Sequence, residues 1–140
     1  MNVNFALLID EKLIVLDGQE SRTFLQGQAT CDVRQLSSET ALQGLLCTPK
    51  GRVLTDFLLF DLEEEKIGLR VKQDLVETTC TTLRKYAMFS KTEIYSEPDC
   101  WQVVGCWGSD AKELIYNLTK TKITKKCSVA DGNGIKAIQI

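Results

Sequence analysis

At 140 residues, 44% hydrophobic and 26% charged, the chain has the balance of an ordinary globular protein, far from the apolar-poor, charge-rich composition of disordered sequences. A globule of this length buries roughly 68–70% of its unfolded surface, so one core can form without disulfide or metal staples. The formal charge of -2 excludes a global attraction to nucleic acid or to an anionic membrane and leaves room only for local contacts.

In chain order, Ala6–Ile9 and Leu13–Leu16 are short apolar runs either side of Asp10-Glu11-Lys12, which predicts a pair of strands around a charged turn. Asp17 stands three residues ahead of Glu20 before Phe24 and Leu25 open an apolar face, the spacing of a capping box, and predicts a helix over about 18–28. Strands are predicted at 41–47, 53–60 and 67–71. Thr48-Pro49-Lys50-Gly51 supplies proline and glycine at the second and fourth positions of a type I turn between the first two. Glu63-Glu64-Glu65 reads as a solvated acidic turn and not as a metal site.

Residues 74–89 return to helical spacing, with Leu75, Thr79, Cys80, Leu83 and Ala87 on one side, Asp74 and Glu77 early, and Arg84 and Lys85 late, in keeping with the helix dipole. Strands at about 91–96 and 102–107, a helix through Leu114, Ile115 and Leu118, and a strand at 135–140 complete a mixed α+β order. Val15 to Leu25 is echoed by Gly105 to Ile115: each reads as strand, glycine, capped helix. The echo predicts two related units, 1–97 and 98–140, the second truncated because Ile138-Gln139-Ile140 reads as the middle of a strand; the alternative is convergent use of one good turn.

Met1 to Phe5 carries no basic side chain and charges soon follow, unlike a signal peptide, and no stretch of about 18 residues is free of charge. The expectation is a cytoplasmic protein without a membrane partner. Six cysteines form no C-x-x-C pair and there is no histidine, so the thiols are expected to be reduced and no metal site is expected from this chain alone. The lack of histidine also removes the Ser-His-Asp, Cys-His and H-E-x-x-H constellations. Gly18 and Gly108 precede helix starts, but Glu20 and Asp110 place carboxylates where a phosphate would sit, which favours capping. The lysines of 120–126 lack interleaved aromatics, which favours a solvated loop over direct nucleic-acid binding.

Two segments stand out chemically. Phe24 to Val33 runs from an amphipathic helix through Gly27 into a polar corner with Thr30 and Asp32. Lys50 to Phe57 sets a cation pair, Lys50 and Arg52, beside Asp56, and strict alternation predicts Arg52, Leu54 and Asp56 on one face. A carboxylate can accept from the N–H edge of a flat heterocycle while the cations meet a carboxylate tail, which are the needs of a pterin-glutamate; the alternative is a weak surface ion pair.

The run Phe24-Leu25-Gln26-Gly27-Gln28-x-Thr30-x-Asp32-Val33, then Thr48-Pro49-Lys50-Gly51-Arg52-Val53, then Leu83-Arg84-Lys85-Tyr86-Ala87-Met88-Phe89-Ser90-Lys91 resembles the YgfZ family of bacterial folate-binding proteins. That family lies in the superfamily of the glycine-cleavage T-protein, an aminomethyltransferase. The resemblance covers about residues 5–118, and its third segment is the most specific. It implies an α+β lobe with a mixed or antiparallel sheet and helices on one face, the N-terminal lobe of the aminomethyltransferase folate-binding fold. It further implies tetrahydrofolate as ligand, a role in maintaining iron–sulfur enzymes and in tRNA modification, and iron–sulfur client enzymes as partners.

The implied folate-binding residues are Asp56, Arg52, Lys50, Thr30 and Asp32, with Asp56 on the pterin edge and the cations on the glutamate tail. The family's K-G-C-Y-x-G-Q-E motif lies in the second half of a longer chain and does not occur here, so an N-terminal portion is expected. Transferase members carry paired aspartates where this chain has Thr55 and Asp56, and family members often carry a tryptophan where it has Glu11-Lys12. A binding lobe is therefore expected ahead of a catalytic aminomethyltransferase. A third reading is a protein-interaction module that uses the sheet edge around 135–140.

Overall fold

The structure, a computed structural model, describes residues 1–96 and 100–140. The expected division between residues 97 and 98 lies outside the described residues. Chain order is strands β1 (Asn4–Leu7) and β2 (Glu11–Asp17), helix α1 (Ser21–Gln26), strands β3 (Leu42–Cys47), β4 (Val53–Glu63) and β5 (Lys66–Lys72), and helix α2 (Val76–Tyr86). Strands β6 (Glu93–Ser96) and β7 (Val104–Trp107), helix α3 (Ala111–Thr119) and strands β8 (Val129–Gly132) and β9 (Ile135–Ile138) follow.

The main sheet is antiparallel in the order β3-β4-β5-β2-β6. Its inner strand β2, between β5 and β6, buries Leu13, Ile14, Val15 and Leu16 alike, because both of its faces are covered. Ile14 and Leu16 join Leu59 and Leu69 against Phe24 and Leu25 of α1 and Cys80 and Leu83 of α2, forming the larger core. On the opposite face, Leu13, Leu58 and Phe60 pack with Val129 of β8, Trp101 and Ile138 in a smaller core. Helices α1 and α2 thus lie on one face, as expected of this α+β class. Arg84 Nε donates to the Ile94 carbonyl at 2.8 Å and ties α2 to the edge strand.

Three local expectations are corrected. The apolar runs at 6–9 and 13–16 form strands that do not pair with each other. β2 takes β5 and β6 as neighbours, whereas β1, exposed throughout, pairs with β7 in a separate two-stranded sheet. The four-residue buried run suits a strand inside the main sheet with both faces covered, whereas β1 is exposed at every position and lies outside that sheet. The capping box does not form either: the Asp17 carboxylate accepts from the Tyr95 hydroxyl at 3.2 Å, and the Glu20 carboxylate accepts from the Lys91 amide at 3.2 Å instead of closing on its own helix. On β4 the pairing steps from Leu46↔Thr55 to Cys47↔Val53, a bulge that takes Leu54 onto the larger core and breaks the predicted shared face of Arg52, Leu54 and Asp56.

The turns are as read from the residues. Gly51 N–H donates to the Thr48 carbonyl at 2.8 Å in the β3–β4 hairpin, and the acidic turn joining β4 to β5 is exposed. Strand β8 escapes sequence patterning because Val129-Ala130-Asp131-Gly132 is short and half polar; it forms through the two-residue Asn133-Gly134 turn to β9.

Candidate ligand site on the back face of the sheet

Registers in the main sheet stack side chains across strands, since Leu45 faces Asp56, Leu58 faces Arg70, Leu13 faces Arg70 and Glu11 faces Lys72. With a side-chain period of two, Asp56 and Leu58 of β4 and Arg70 and Lys72 of β5 lie on one face, opposite the helices. The β4–β5 ladder begins at Leu58↔Arg70, so Asp56 and Lys72 lie just past its last pair. There the strands enclose a polar cavity of about 370 Å³ whose lining includes Asp56, Thr30, Glu11, Arg70, Lys72 and Gln43.

The cavity carries two carboxylates and two cations. Glu11 holds both cations: its carboxylate is 2.7 Å from Lys72 Nζ and 3.6 Å from Arg70 Nε. That hydrogen bond, with the charge behind it, keeps the Lys72 ammonium above its ordinary pKa of 10.5, so it stays charged. The Arg70 Nε atom is buried and has no hydrogen bond among the described residues. Asp56 is exposed to the cavity, and no ion pair or hydrogen bond holds its carboxylate among the described residues. It is the free acceptor of the site. Thr30 is fixed at the rim, where its hydroxyl accepts from the Leu45 amide at 2.9 Å and its own amide donates to the Leu45 carbonyl at 3.0 Å.

Of the five residues singled out in the sequence, the cavity brings together Asp56 and Thr30. Lys50 and Arg52 sit in the exposed β3–β4 turn and do not line it. Asp32 is turned to Arg34, whose Nε and Nη2 donate to its two oxygens at 2.8 and 3.1 Å; this pairing holds the carboxyl below its ordinary pKa of 3.8. Glu11, Arg70 and Lys72 were not legible as site residues, because only the register of β2 against β5 aligns them with β4. Thr55, next to Asp56, points the other way: it is 2% exposed and its hydroxyl donates to the Asp56 carbonyl at 3.0 Å.

Two proteins named tRNA-modifying protein YgfZ match most of the chain. That of Photobacterium profundum is 35% identical over 108 residues, 77% of this chain and 32% of its own length, and that of Aliivibrio fischeri (strain MJ11) is 32% identical over 127 residues, 91% and 39%. The chain belongs to the YgfZ family. An uncharacterized protein of Haemophilus influenzae is 32% identical to this YgfZ-type chain over 125 residues, 89% of the chain and 44% of that protein. The chain therefore spans between 32% and 44% of the length of these relatives and fits their N-terminal portion. Glycine cleavage system aminomethyltransferase T from Bartonella henselae superimposes with a TM-score of 0.78 over 91% of this chain and 35% of its own, at 15% identity, which places the YgfZ-type chain in the aminomethyltransferase fold. No family model matches the chain. Among the described residues, no helix is long and apolar enough to cross a membrane, and no three His, Cys, Asp or Glu side chains converge as metal ligands.

Proposed function

We propose that this chain is the tetrahydrofolate-binding lobe of a YgfZ-type protein. The observation that carries the reading is the Asp56 carboxylate, without a partner among the described residues in a polar cavity also lined by Arg70 and Lys72. A carboxylate with free lone pairs accepts from the N–H edge of a pterin, and the cation pair is suited to the carboxylates of a glutamate tail. Glu11 holds those cations in place. The cation role expected of Lys50 and Arg52 passes in this reading to Arg70 and Lys72, and Thr30 forms the rim.

Binding, and not group transfer, is the activity this supports. Thr55 faces the core, so Asp56 is the one carboxylate that β4 offers the cavity. The names of the relatives extend the reading to tRNA modification, and the resemblance extends it to maintenance of iron–sulfur enzymes; in both, the lobe supplies folate binding to a longer protein. Calorimetric titration with tetrahydrofolate tests it. Removing a hydrogen bond to a charged group costs about 1.5–3 kcal/mol, so Asp56→Ala is expected to weaken binding at least about tenfold, with Lys72→Ala weakening polyglutamylated more than monoglutamylated folate. Equal affinity of wild type and Asp56→Ala overturns the assignment.

A further inference from the structure

The two sequence echoes fold into the same device. Gly18 (φ 144) and Gly108 (φ 127) follow β2 and β7, and a Cβ on either would stand 2.3 Å from a backbone carbonyl, that of Lys91 or of Asn2. Glu20 and Asp110 each donate a backbone N–H to that same carbonyl at 3.2 Å. Each also accepts, through its carboxylate, from the amide of the same residue, at 3.2 Å from Lys91 and 2.5 Å from Asn2. In both copies the clamping residue precedes the edge strand, β6 or β1, that pairs antiparallel with the strand before the glycine. β7 therefore corresponds to β2, β1 to β6, α3 to α1, and the β8–β9 hairpin to β3–β4.

One strand lacks its counterpart. In the first unit β5 lies between β4 and β2 and joins them into one sheet. In the second unit β8–β9 and β7–β1 remain two separate pairs. Three observations mark the missing position. A cavity of about 140 Å³ lies between Val103 and Val104 beside β7 and Lys136 and Ile138 of β9, floored by Leu13 and Phe60 of the main sheet. Gly18 N–H donates to the Glu65 carbonyl at the start of β5, at 2.9 Å, whereas Gly108 N–H has no partner among the described residues. The ladders also point their spare amides into the gap. Leu8 N–H bonds the Val103 carbonyl, so by alternation Gly105 and Trp107 bond β1 while Val104 and Cys106 face away from it. The Gly132↔Ile135 pair closes a two-residue turn, so Lys136 and Ile138 face away from β8.

We propose that this gap is a strand slot, filled by an extended segment of the same polypeptide that follows β9 and runs antiparallel to both β9 and β7. The template within the chain points to this source, since β5 follows β4 after only Glu64-Glu65, and so do relatives that are more than twice as long as this chain. The occupant has β5's chemistry. Apolar side chains at alternate positions cover Leu13 and Phe60, small enough between them to enter a shallow cavity, and a backbone carbonyl at its start takes the Gly108 amide. The inference does not rest on folate binding and is tested without ligand.

The test compares amide hydrogen exchange in the 140-residue chain with that in the same chain extended at its C-terminus by the sequence of Glu64–Lys72. Expected is a gain in protection of at least about tenfold at Val104, Cys106, Gly108, Lys136 and Ile138, and little change at Gly105 and Trp107, which already bond β1. An extension carrying proline at the two central slot-bonding positions is expected to lose the gain while the main-sheet amides stay protected, which separates slot filling from general stabilisation. No site-specific gain overturns the proposal. Protection of the same five amides in the unextended chain that rises with protein concentration also overturns it, in favour of a second copy in the slot.

Discussion

Replacing Gly18 by alanine isolates the clamp that ties the start of α1 to the approach to β6. A non-glycine residue at φ 144 is strained by about 1–3 kcal/mol. Its Cβ would also meet the Lys91 carbonyl oxygen at 2.3 Å and the Thr92 Cα at 3.0 Å. Both are backbone atoms of the approach to β6 and cannot rotate aside. Relief requires that approach to retreat, which parts the two hydrogen bonds between Glu20 and Lys91, about 0.5–1.5 kcal/mol each. The total is about 2–6 kcal/mol, a large share of the roughly 5–15 kcal/mol of a whole domain. Gly51→Ala is the internal control, since Gly51 also has positive φ, 78, but nothing lies within 4 Å of its Cβ, leaving about 1–2 kcal/mol of conformational strain. Urea titrations followed by far-ultraviolet circular dichroism, compared at constant slope, read the difference directly. If Gly18→Ala and Gly51→Ala lose the same stability, collision with Lys91 contributes nothing and the clamp is not a determinant of the fold.

Other groups give independent checks. Burial pushes the thiols of Cys31 and Cys80 above their ordinary pKa of 9.0, while Cys100 and Cys106 are exposed; alkylation at neutral pH followed by mass spectrometry should label Cys100 and Cys106 first and Cys80 last, and equal rates would contradict the packing. Arg34 depresses the Asp32 pKa, so the contribution of that pair is present above the unfolded carboxylate value and is lost as pH falls through the lower folded value. The melting-temperature gap between wild type and Asp32→Asn, small because both groups are exposed, should therefore close below about pH 3.9 and stay constant well above it. Arg84→Met keeps the aliphatic stem but loses the bond to the Ile94 carbonyl, and thermal melts should show a loss of about 1–3 kcal/mol.

Local chemistry was legible in the sequence wherever one short segment decided the outcome. Proline and glycine in 48–51 fix a turn by their own backbone preferences, and the Thr79, Cys80, Leu83 and Ala87 spacing fixes which side of α2 is buried. Pairing was not legible, because it depends on partners far along the chain. Nothing in Asn4–Leu7 says that its neighbour is Val104–Trp107, about a hundred residues away. The candidate site was legible only in part for the same reason. Asp56 could be singled out by its place in a strand, and Thr30 by the polar corner after α1. The cations beside Asp56 come from β5, which pairs with β4 on one side and brings Glu11 from β2 on the other. Lys50 and Arg52, nearer in sequence, are carried off by the turn and the bulge at Leu54.

The polar cavity and the strand slot share two lining residues, Leu58 and Arg70, because β4 and β5 run beneath both. Arg70 is the natural link between them. Its guanidinium reaches toward Glu11 on the polar side, and its buried Nε lacks a hydrogen bond among the described residues. A strand laid in the slot removes water from one flank of Arg70, which strengthens the attraction of its charge for an anion in the polar cavity. Occupancy of the slot should therefore raise affinity for tetrahydrofolate, and reciprocity requires folate to protect the slot amides by the same factor, typically 5–150-fold for coupled sites. Titrating folate into the 140-residue chain and into its strand-extended form measures this coupling. Arg70→Met, which keeps the length of the side chain without its charge, should reduce the two affinities to a common lower value; if the extended chain still binds more tightly in that background, the coupling runs through Leu58 and the packing of β4, and the electrostatic route is refuted.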